Sequence, residues 1–310
     1  MKIPIQRSRS AAEGRLRAEI RTLLGRRRRT KNSGSFSRTI SHYELLKEIG
    51  VGAHGVVYLA RDRRGNQLVA IKIHRATGSP QARERFLREA ACISAFEHPN
   101  IVGVCELIQR QGSDALVMEY IRGKTLDRAI PLHGLPIRTY LLYAWQIADA
   151  VAAIHSAKMT HRDLKPRNFI VAKNGQVKLL DFGLAKVIDS RHQCPSRKGS
   201  QLIETRDGAI FGTVGYMSPE QVRGQTVGQR SDIFSLGTLF YQMLTGRCAF
   251  EKDTEIDSMA AILHAAPAKL PPRVPDAIAR IVRRCLEKEP VRRYRTANEL
   301  LDDLTLISSR

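Results

Sequence analysis

Short apolar runs dominate the chain from about Ile40 to residue 121. The runs Val56–Ala60 and Leu68–Ile73 are rich in β-branched residues and predict two strands. The intervening Arg64-Gly65-Asn66 has turn composition and joins them. Two more strands are expected near residues 101–110 and 114–120. Apolar residues at helical spacing within residues 80–96 predict one helix that interrupts this sheet.

After Gly123 the spacing of apolar residues changes from the pattern of strands to the pattern of helices. Apolar spacing predicts helices at residues 137–157, 233–246, 276–288 and 297–307. The pattern therefore indicates an α+β fold with two lobes. A small β-rich N-lobe with one key helix would span about residues 42–121, and a larger helical C-lobe would span about 122–307. Ligands are expected at the seam between the lobes.

Composition places the chain among ordinary globular proteins. It has 310 residues, of which 43% are hydrophobic and 26% are charged. No run of 18 apolar residues predicts a membrane span, and the N-terminus lacks the apolar core of a signal peptide. The five cysteines are dispersed without a CxxC pair, which is typical of a reducing compartment. We therefore expect a cytoplasmic location.

Residues 1–41 form a basic tail, with twelve Lys/Arg against two Glu in a chain of net charge +21. Within it, four apolar residues fall at i, i+4, i+7 and i+8, a spacing that favours a short amphipathic helix. These residues are Leu16, Ile20, Leu23 and Leu24. Two interpretations stay open for the tail. It is either a solvated basic arm or an anchor for an acidic surface such as nucleic acid or anionic lipid.

Two segments of the β-rich half carry candidate phosphate chemistry. The glycines of Gly50–Val57 let backbone N–H groups approach a phosphate closely. A dinucleotide-binding fold would need a helix after these glycines, whereas here a β-rich segment follows. Lys72 lies on an otherwise apolar strand and needs an anionic partner if it is buried. Glu89, on the inward stripe of the predicted helix, is the expected partner.

The segment His161–Asn168 concentrates the chemistry of the second half. It places a candidate base, a cation and a carboxamide within eight residues, and Asp181 follows Asn168 by thirteen residues. Oxygen ligands at this spacing can hold a divalent metal on the phosphates of a nucleotide while a carboxylate orients a hydroxyl group. This arrangement is suited to phosphoryl transfer.

In this order the motifs resemble those of a serine/threonine protein kinase catalytic domain over about residues 43–307. The matching segments are Gly50–Gly55, Val69–Lys72, Glu89, His161–Asn168, Asp181–Gly183, Gly212-Thr213, Ser218–Glu220 and Asp232. The amino-acid sequences of Gly212–Gln221 and Asp232–Gly237 are similar to those of the bacterial members of that family.

The resemblance implies roles for individual residues. Asp163, Lys165 and Thr213 would be catalytic, and Asn168 with Asp181 would hold Mg²⁺ or Mn²⁺ on ATP. The positions that match the family's ATP site are Ile49, Gly50, Gly52, Gly55, Val57, Ala70, Lys72, Glu89, Met118, Glu119, Ile121 and Ile170. The partners so implied are ATP and protein substrates with Ser or Thr hydroxyls, in a signalling role with autophosphorylation.

The resemblance also implies two structural contacts and one phosphate-binding residue. Glu220 is expected to pair with Arg293, and Asp232 to brace the backbone of His161 and Arg162. Arg162 itself would bind a phosphate on the activation segment, which is unusually long here. The family's common phosphosite is occupied by Ala209, so Ser200 and Thr205 are the substitute candidates.

Thr125 and Arg167 stand where basophilic members carry two substrate-binding acids. We therefore expect no strong preference for a substrate arginine three residues before the target hydroxyl. Three alternatives to a protein kinase remain at this point. They are a pseudokinase-type scaffold, a small-molecule phosphotransferase of similar fold, and a nucleic-acid-associated basic protein. The retained Lys72 and Asp163 disfavour the first, and no nucleic-acid-binding motif supports the last.

Overall fold

A computed structural model describes most of the chain beyond the basic tail. The described residues are 38–52, 55–74, 87, 90–91, 93–94, 96–109, 114–180, 186–187 and 214–308. They form two compact units. The first comprises the described residues up to Phe96 together with Gly103–Tyr120, and the second comprises Glu97–Val102 with the described residues from Ile121 onward. The predicted boundary between tail and folded domain, at residues 41 and 42, lies within the described residues, where Arg38–Ile40 already form a strand. The predicted tail helix lies outside the described residues.

The first unit contains a six-stranded antiparallel sheet in the order β1-β2-β3-β4-β6-β5. Its strands are β1 Arg38–Ile40, β2 Tyr43–Gly52, β3 Gly55–Asp62, β4 Leu68–His74, β5 Val104–Ile108 and β6 Ala115–Glu119. The turn predicted between β3 and β4 is present. Asn66 adopts a positive φ of 53° there, and the Asp62 amide donates to the Gln67 carbonyl oxygen.

Strand alternation gives this sheet two different faces. One face builds a buried apolar core from alternate residues of the paired strands. Its members are Ile40, Tyr43, Leu45, Val56, Tyr58, Ala60, Val69, Ile71, Ile73, Ile108, Ala115 and Val117. The residues between them, among them Val57, Ala70, Lys72 and Met118, therefore belong to the opposite face.

The helix predicted in residues 80–96 is described only in part. Leu87, Ala90, Ala91, Ile93 and Ser94 have helical backbone, and the Ser94 hydroxyl donates to the Ala90 carbonyl oxygen. This agrees with the predicted helical spacing at these positions.

The second unit is mainly helical. Its helices are α1 Leu126–Ala129, α2 Ile137–Ser156, α3 Pro219–Val222, α4 Gln229–Thr245, α5 Glu255–His264, α6 Asp276–Cys285 and α7 Ala297–Ser308. Its short strands are β7 Gly123–Thr125, β8 Met159–Thr160, β9 Phe169–Ala172, β10 Val177–Leu179 and β11 Lys186–Val187. They form a three-stranded sheet in the order β10-β9-β7 and a two-stranded sheet of β11 with β8.

Helix α4 is buried on every side from Ser231 to Tyr241. A helix surrounded in this way lacks a polar face, and this explains why its start was predicted four residues late. The predicted 276–288 helix was too long, because α6 ends at Cys285 and Leu286 is its C-cap. Helix α5 was missed, because most of its apolar residues form the continuous run Met259–Leu263 and its remaining apolar residue, Ile256, is 75% exposed.

Glu97–Val102 joins the second unit through hydrogen bonds that the sequence pattern did not predict. The Asn100 amide nitrogen donates to Gln146 Oε1 at 2.9 Å and to the Val177 carbonyl oxygen at 2.8 Å. Ile101 forms a parallel bridge with Leu179. These bonds tie the segment to helix α2 and strand β10. Among the described residues, no helix is long and apolar enough to cross a membrane.

Candidate functional site

The turn between β8 and β9 brings together three of the predicted site residues. Its 3₁₀ segment, Pro166–Asn168, begins with a proline that suits the first helical position. Lys165 Nζ lies 2.9 Å from Asp163 Oδ1 and 2.7 Å from Oδ2. Both side chains are partly exposed. The carboxylate is thus held next to a cation while it remains accessible to a ligand.

Asn168 completes this cluster and is itself buried. Its Nδ2 donates to the Asp163 carbonyl oxygen at 2.7 Å and approaches Asp163 Oδ2 at 3.3 Å. Because the amide nitrogen donates these hydrogen bonds, the amide oxygen is the atom that can bind a cation, and Mg²⁺ prefers oxygen ligands of this kind. Leu180, which donates its N–H to the Asn168 carbonyl oxygen, is the last described residue before Asp181.

A buried carboxylate on α4 fixes the backbone ahead of Asp163. Asp232 Oδ2 accepts the His161 N–H and Oδ1 accepts the Arg162 N–H, each at 2.8 Å. Arg162 adopts a φ of 70°, a left-handed conformation that is unfavourable for a side chain of this size. The predicted bracing by Asp232 is confirmed, and it explains how this strained conformation is maintained.

His155 extends this anchor to the C-terminal helix. Its Nδ1 accepts the Ala297 N–H at 3.2 Å, so its Nε2 carries the hydrogen and donates to Asp232 Oδ2 at 3.0 Å. Burial opposes the charge of Asp232, but the hydrogen bonds from His155 and from the backbone N–H of Arg162 hold the pKa of this carboxyl below its usual value. Sequence reasoning missed His155, because a histidine in a helix carries no motif of its own.

Gln221 was also missed, and it holds the same loop from the other side. Its Nε2 donates to the Arg162 carbonyl oxygen at 2.9 Å. Gln221 and Ser218 also form a capping box at the start of α3. The spacing Ser218-x-x-Gln221 could have predicted the capping box, although it gives no indication of the contact with Arg162.

The predicted pair of Glu220 and Arg293 is confirmed as a bidentate buried ion pair. Arg293 Nη1 and Nη2 lie 2.8 Å and 3.0 Å from the two carboxylate oxygens of Glu220. The Ser231 hydroxyl donates to the same carboxylate at 2.6 Å. Burial would raise the pKa of Glu220, but the hydrogen bonds from Arg293 and Ser231 hold it below its usual value. The pair joins α3 to the segment before α7.

In the first unit, strand register aligns the other predicted residues on one face of the sheet. Val57 lies between Gly50 on β2 and Lys72 on β4. Ala70, two residues before Lys72, is paired with Met118 on β6. Directly opposed residues share a face, so four predicted side chains line the face opposite the apolar core: Val57, Ala70, Lys72 and Met118. Lys72 itself is half-buried.

The remaining predicted positions have separate outcomes. Gly52 is paired with Gly55 at the end of the β2–β3 hairpin, so the glycine segment connects two strands and the dinucleotide-fold interpretation is excluded. Ile49 is 41% exposed next to a bulge in β2. The Glu119 N–H donates to the Gly103 carbonyl oxygen. Ile121 and Ile170 are half-buried in the second unit. Glu89, Asp181, Ser200, Thr205 and Thr213 lie outside the described residues.

Arg167 lies on the same 3₁₀ turn and points to solvent, with 77% of its side chain exposed. Its Nε is 3.4 Å from Asp127 Oδ2 on α1. Thr125, the other position noted for substrate selection, is paired with Ile170 and caps α1 without a side-chain hydrogen bond. Neither position carries an acid, although Asp127 supplies one nearby.

Comparison with known proteins gives a consistent result. The model of the protein kinase domain family matches residues 43–304. A probable serine/threonine-protein kinase of Clostridium perfringens is 34% identical over 86% of this chain and 38% of its own length. The serine/threonine-protein kinases PrkC of Bacillus subtilis and PknB of Mycolicibacterium smegmatis are 33% and 36% identical over 86% and 84% of this chain, and over 40% and 42% of their own lengths. The chain thus spans about two fifths of the curated relatives it matches.

Proposed function

Because the chain belongs to the protein kinase domain family, we propose that it transfers the γ-phosphoryl group of ATP to Ser and Thr hydroxyls of proteins. The observation that carries this proposal is the cluster of Asp163, Lys165 and Asn168 on one turn. A carboxylate beside a cation and an amide is the arrangement that positions a hydroxyl nucleophile against a phosphate.

In this function Asp163 orients the substrate hydroxyl and takes its proton as the new O–P bond forms and the bond from the γ-phosphorus to the leaving ADP oxygen breaks. Lys165, which lies within hydrogen-bond distance of both oxygens of Asp163, neutralises the charge on the transferring group. Asp232 and Gln221 act indirectly, by holding the backbone N–H and carbonyl groups of Arg162. Precise placement of this loop is therefore part of the catalytic function.

Residues proposed to bind the nucleotide are found in each of the two units. Asn168 fits a divalent cation through its amide oxygen, and Asp181 is the proposed second ligand. When bound, Mg²⁺ or Mn²⁺ would neutralise the phosphates of ATP. In the first unit, Val57, Ala70 and Met118, which share one sheet face with Lys72, supply with Ile49 an apolar surface for adenine. Ile170 is the proposed adenine contact of the second unit. Lys72 would contact the phosphates with Glu89 as its partner, and the backbone of Glu119 and Ile121 would bond the adenine edge.

Regulation by phosphate is proposed through Arg162. Its guanidinium is half-buried, donates from Nε to the Thr160 hydroxyl and has no carboxylate partner among the described residues. Burial lowers the pKa of this guanidinium, and the charge of Asp232 partly offsets that effect. A phosphate on Ser200 or Thr205 would supply the missing anion. Mass spectrometry after incubation with Mg-ATP tests this, and the absence of phosphate within residues 190–213 would contradict it.

The decisive experiment measures transfer from ATP labelled at the γ-phosphate to a generic protein substrate. We expect Asp163→Asn and Lys72→Met to lose nearly all transfer, on the order of 10³-fold or more. Lys173→Met, a change at an exposed lysine in the β9–β10 turn, is the matched control and should retain full activity. Equal labelling by the two site variants and the wild type would overturn the proposed function.

A contact of the basic tail with an acidic surface remains a separate hypothesis, motivated by the charge of residues 1–41. Deletion of residues 1–37 should weaken retention on heparin or DNA at low salt, since the tail carries much of the positive charge. Unchanged retention after the deletion would exclude the tail as the binding element.

A further inference from the structure

Arg167 is the solvent-facing residue of the turn that carries the proposed reaction centre. Its neighbours Pro166 and Asn168 are buried, whereas 77% of the Arg167 side chain is exposed. Asn168 touches the Asp163 carboxylate, and consecutive Cα atoms are about 3.8 Å apart. A peptide whose hydroxyl reaches Asp163 therefore places side chains within roughly four residues of that hydroxyl near the Arg167 guanidinium.

The internal partner of Arg167 leaves most of its guanidinium available. Asp127 approaches Arg167 with Oδ2 at 3.4 Å from Nε, and its Oδ1 is buried without a hydrogen-bond partner among the described residues. The two terminal nitrogens of Arg167 form no hydrogen bond in the described part of the chain. Arg293, by contrast, uses both terminal nitrogens on the Glu220 carboxylate. The Asp127 contact thus orients Arg167 while it leaves the hydrogen-bonding capacity of the guanidinium largely unused.

We propose that Arg167 is a specificity-determining residue that selects substrates with an anionic group close to the target Ser or Thr. This inference rests on the proposed function and adds the substrate class to it. A planar guanidinium with two available donor nitrogens matches the two oxygens of a carboxylate or a phosphate. A basic side chain at the same place would instead meet a like charge. The recognised chemistry is therefore Asp, Glu or a phosphorylated residue in the substrate segment.

The chain's own activation segment offers two hydroxyls that this selection separates. Thr205 has Glu204 before it and Arg206 and Asp207 after it, so two of its three charged neighbours are acidic, whereas Ser200 follows the basic pair Arg197 and Lys198. Selection by Arg167 favours transfer to Thr205 from another copy of the chain. Of the two candidate phosphosites, the charge of the neighbouring residues thus favours Thr205 over Ser200.

The test uses the full chain as enzyme and a synthetic peptide of residues 201–211, in which Thr205 is the only hydroxyl-bearing residue. A second peptide carries Lys in place of Glu204 and Asp207, and a third carries phosphoserine in place of Glu204. The enzymes compared are the wild type, Arg167→Ala, Arg167→Glu and Asp127→Asn. Arg280→Glu, at an exposed arginine of α6, is the control with the same change of charge.

We expect the wild type to prefer the acidic peptide over the lysine peptide by about fivefold in kcat/KM, the size of an exposed charge contact. Arg167→Ala should remove this preference, Arg167→Glu should reverse it, and Asp127→Asn should increase it by exposing an uncompensated cation. Arg280→Glu should match the wild type. The phosphoserine peptide separates the sources of the anion. A further gain over the acidic peptide indicates recognition of phosphate, while an equal rate indicates that a carboxylate suffices, and both support the proposal.

One outcome would contradict substrate selection by Arg167, and another would contradict the proposed function itself. If the wild type transfers phosphate to the peptides with the same acidic-to-basic ratio as Arg167→Ala and Arg167→Glu, Arg167 does not select substrates. If the wild type transfers phosphate neither to the peptides nor to a generic protein, the proposed function fails and the selection fails with it. Thermal melting of each variant verifies folding, which an exposed position should not alter.

Discussion

The two units hold their proposed functional residues in different ways. In the second unit, the loop before Asp163 is fixed by buried polar groups: Asp232 holds two N–H groups, Gln221 holds a carbonyl oxygen, and His155 ties Asp232 to α7. In the first unit, Val57, Ala70, Lys72 and Met118 are aligned by strand pairing above an apolar core.

The difference shows that side chains can be positioned precisely either by many backbone bonds or by a few side-chain anchors. Register in a sheet is set by many backbone bonds and by the apolar face, so no single side chain determines where Lys72 lies. A loop with a left-handed residue such as Arg162 has no ladder to support it and depends on a few anchors. Single substitutions should therefore damage the loop more than they damage the sheet face.

The largest effect is expected at Asp232. Asp232→Asn keeps the size of the side chain but replaces one acceptor oxygen by a donor that faces a backbone N–H. The loop should shift, and transfer should fall by roughly 10²-fold, because misplacement of about 1 Å has that effect. Steady-state kinetics with a peptide substrate measures it. A fully active Asp232→Asn variant would show that the anchor is dispensable.

The next largest effect is expected in the buried ion pair. Glu220→Gln leaves the Arg293 cation buried without its carboxylate, and this should cost about 3–5 kcal/mol of unfolding free energy. Glu299→Gln, in the exposed pair with Arg295, is the control and should cost less than about 1 kcal/mol. Urea unfolding of both variants gives the comparison, and equal losses would refute the distinction between them.

Adjacent residues of β4 should separate stability from nucleotide binding. Ile71→Ala removes a fully buried side chain from the core face and should cost about 2–5 kcal/mol. Ala70→Val, on the opposite face, should change stability by less than about 1 kcal/mol but raise the KM for ATP about tenfold or more by filling the proposed adenine surface. If Ala70→Val leaves the KM for ATP unchanged, that face does not bind adenine.

The smallest expected effect is a pH dependence of the second unit. Burial and the nearby Arg293 lower the pKa of Lys288 to about 8, although its ammonium donates to the Ile262 carbonyl oxygen and lies over the Phe250 ring. Since the unfolded chain keeps the ordinary, higher lysine pKa, it binds more protons between about pH 8 and 10.5. Lys288 therefore contributes a stability term that rises with pH across that window, by less than about 1 kcal/mol for a partly exposed group.

The measurement compares urea unfolding of the wild type and Lys288→Met at pH 8 and pH 10. The difference between the two proteins should grow in favour of the wild type as the pH rises. Other groups that titrate in this range contribute equally to both proteins and cancel. Lys252→Met, at an exposed lysine, should show no such trend, and a flat difference for Lys288→Met would contradict the lowered pKa.

Much of this molecule could be predicted from local patterns. The strands around Val56–Ala60 and Leu68–Ile73 and the helix at residues 137–157 were predicted correctly in this way. The family resemblance implied the contacts of Asp232 with the loop and of Glu220 with Arg293, and both are present. The start of α4 and the whole of α5 were not predicted, because a helix buried on all sides and a helix whose apolar residues form one continuous run both lack a clear amphipathic period. His155, Gln221 and the Asn100–Gln146 bond were missed because they join positions distant in sequence.

The sequence by itself determined the family, the order of the motifs and the identity of the proposed reacting groups, because these depend on residue type and on spacing along the chain. Only the tertiary structure decided which groups hold the Asp163 loop, which tautomer His155 adopts and which arginine faces solvent. Arg167 and Arg293 are the same residue type. Burial and the number of partners make Arg293 a buried structural anchor and leave Arg167 largely exposed to solvent, and these properties arise only when the chain is folded.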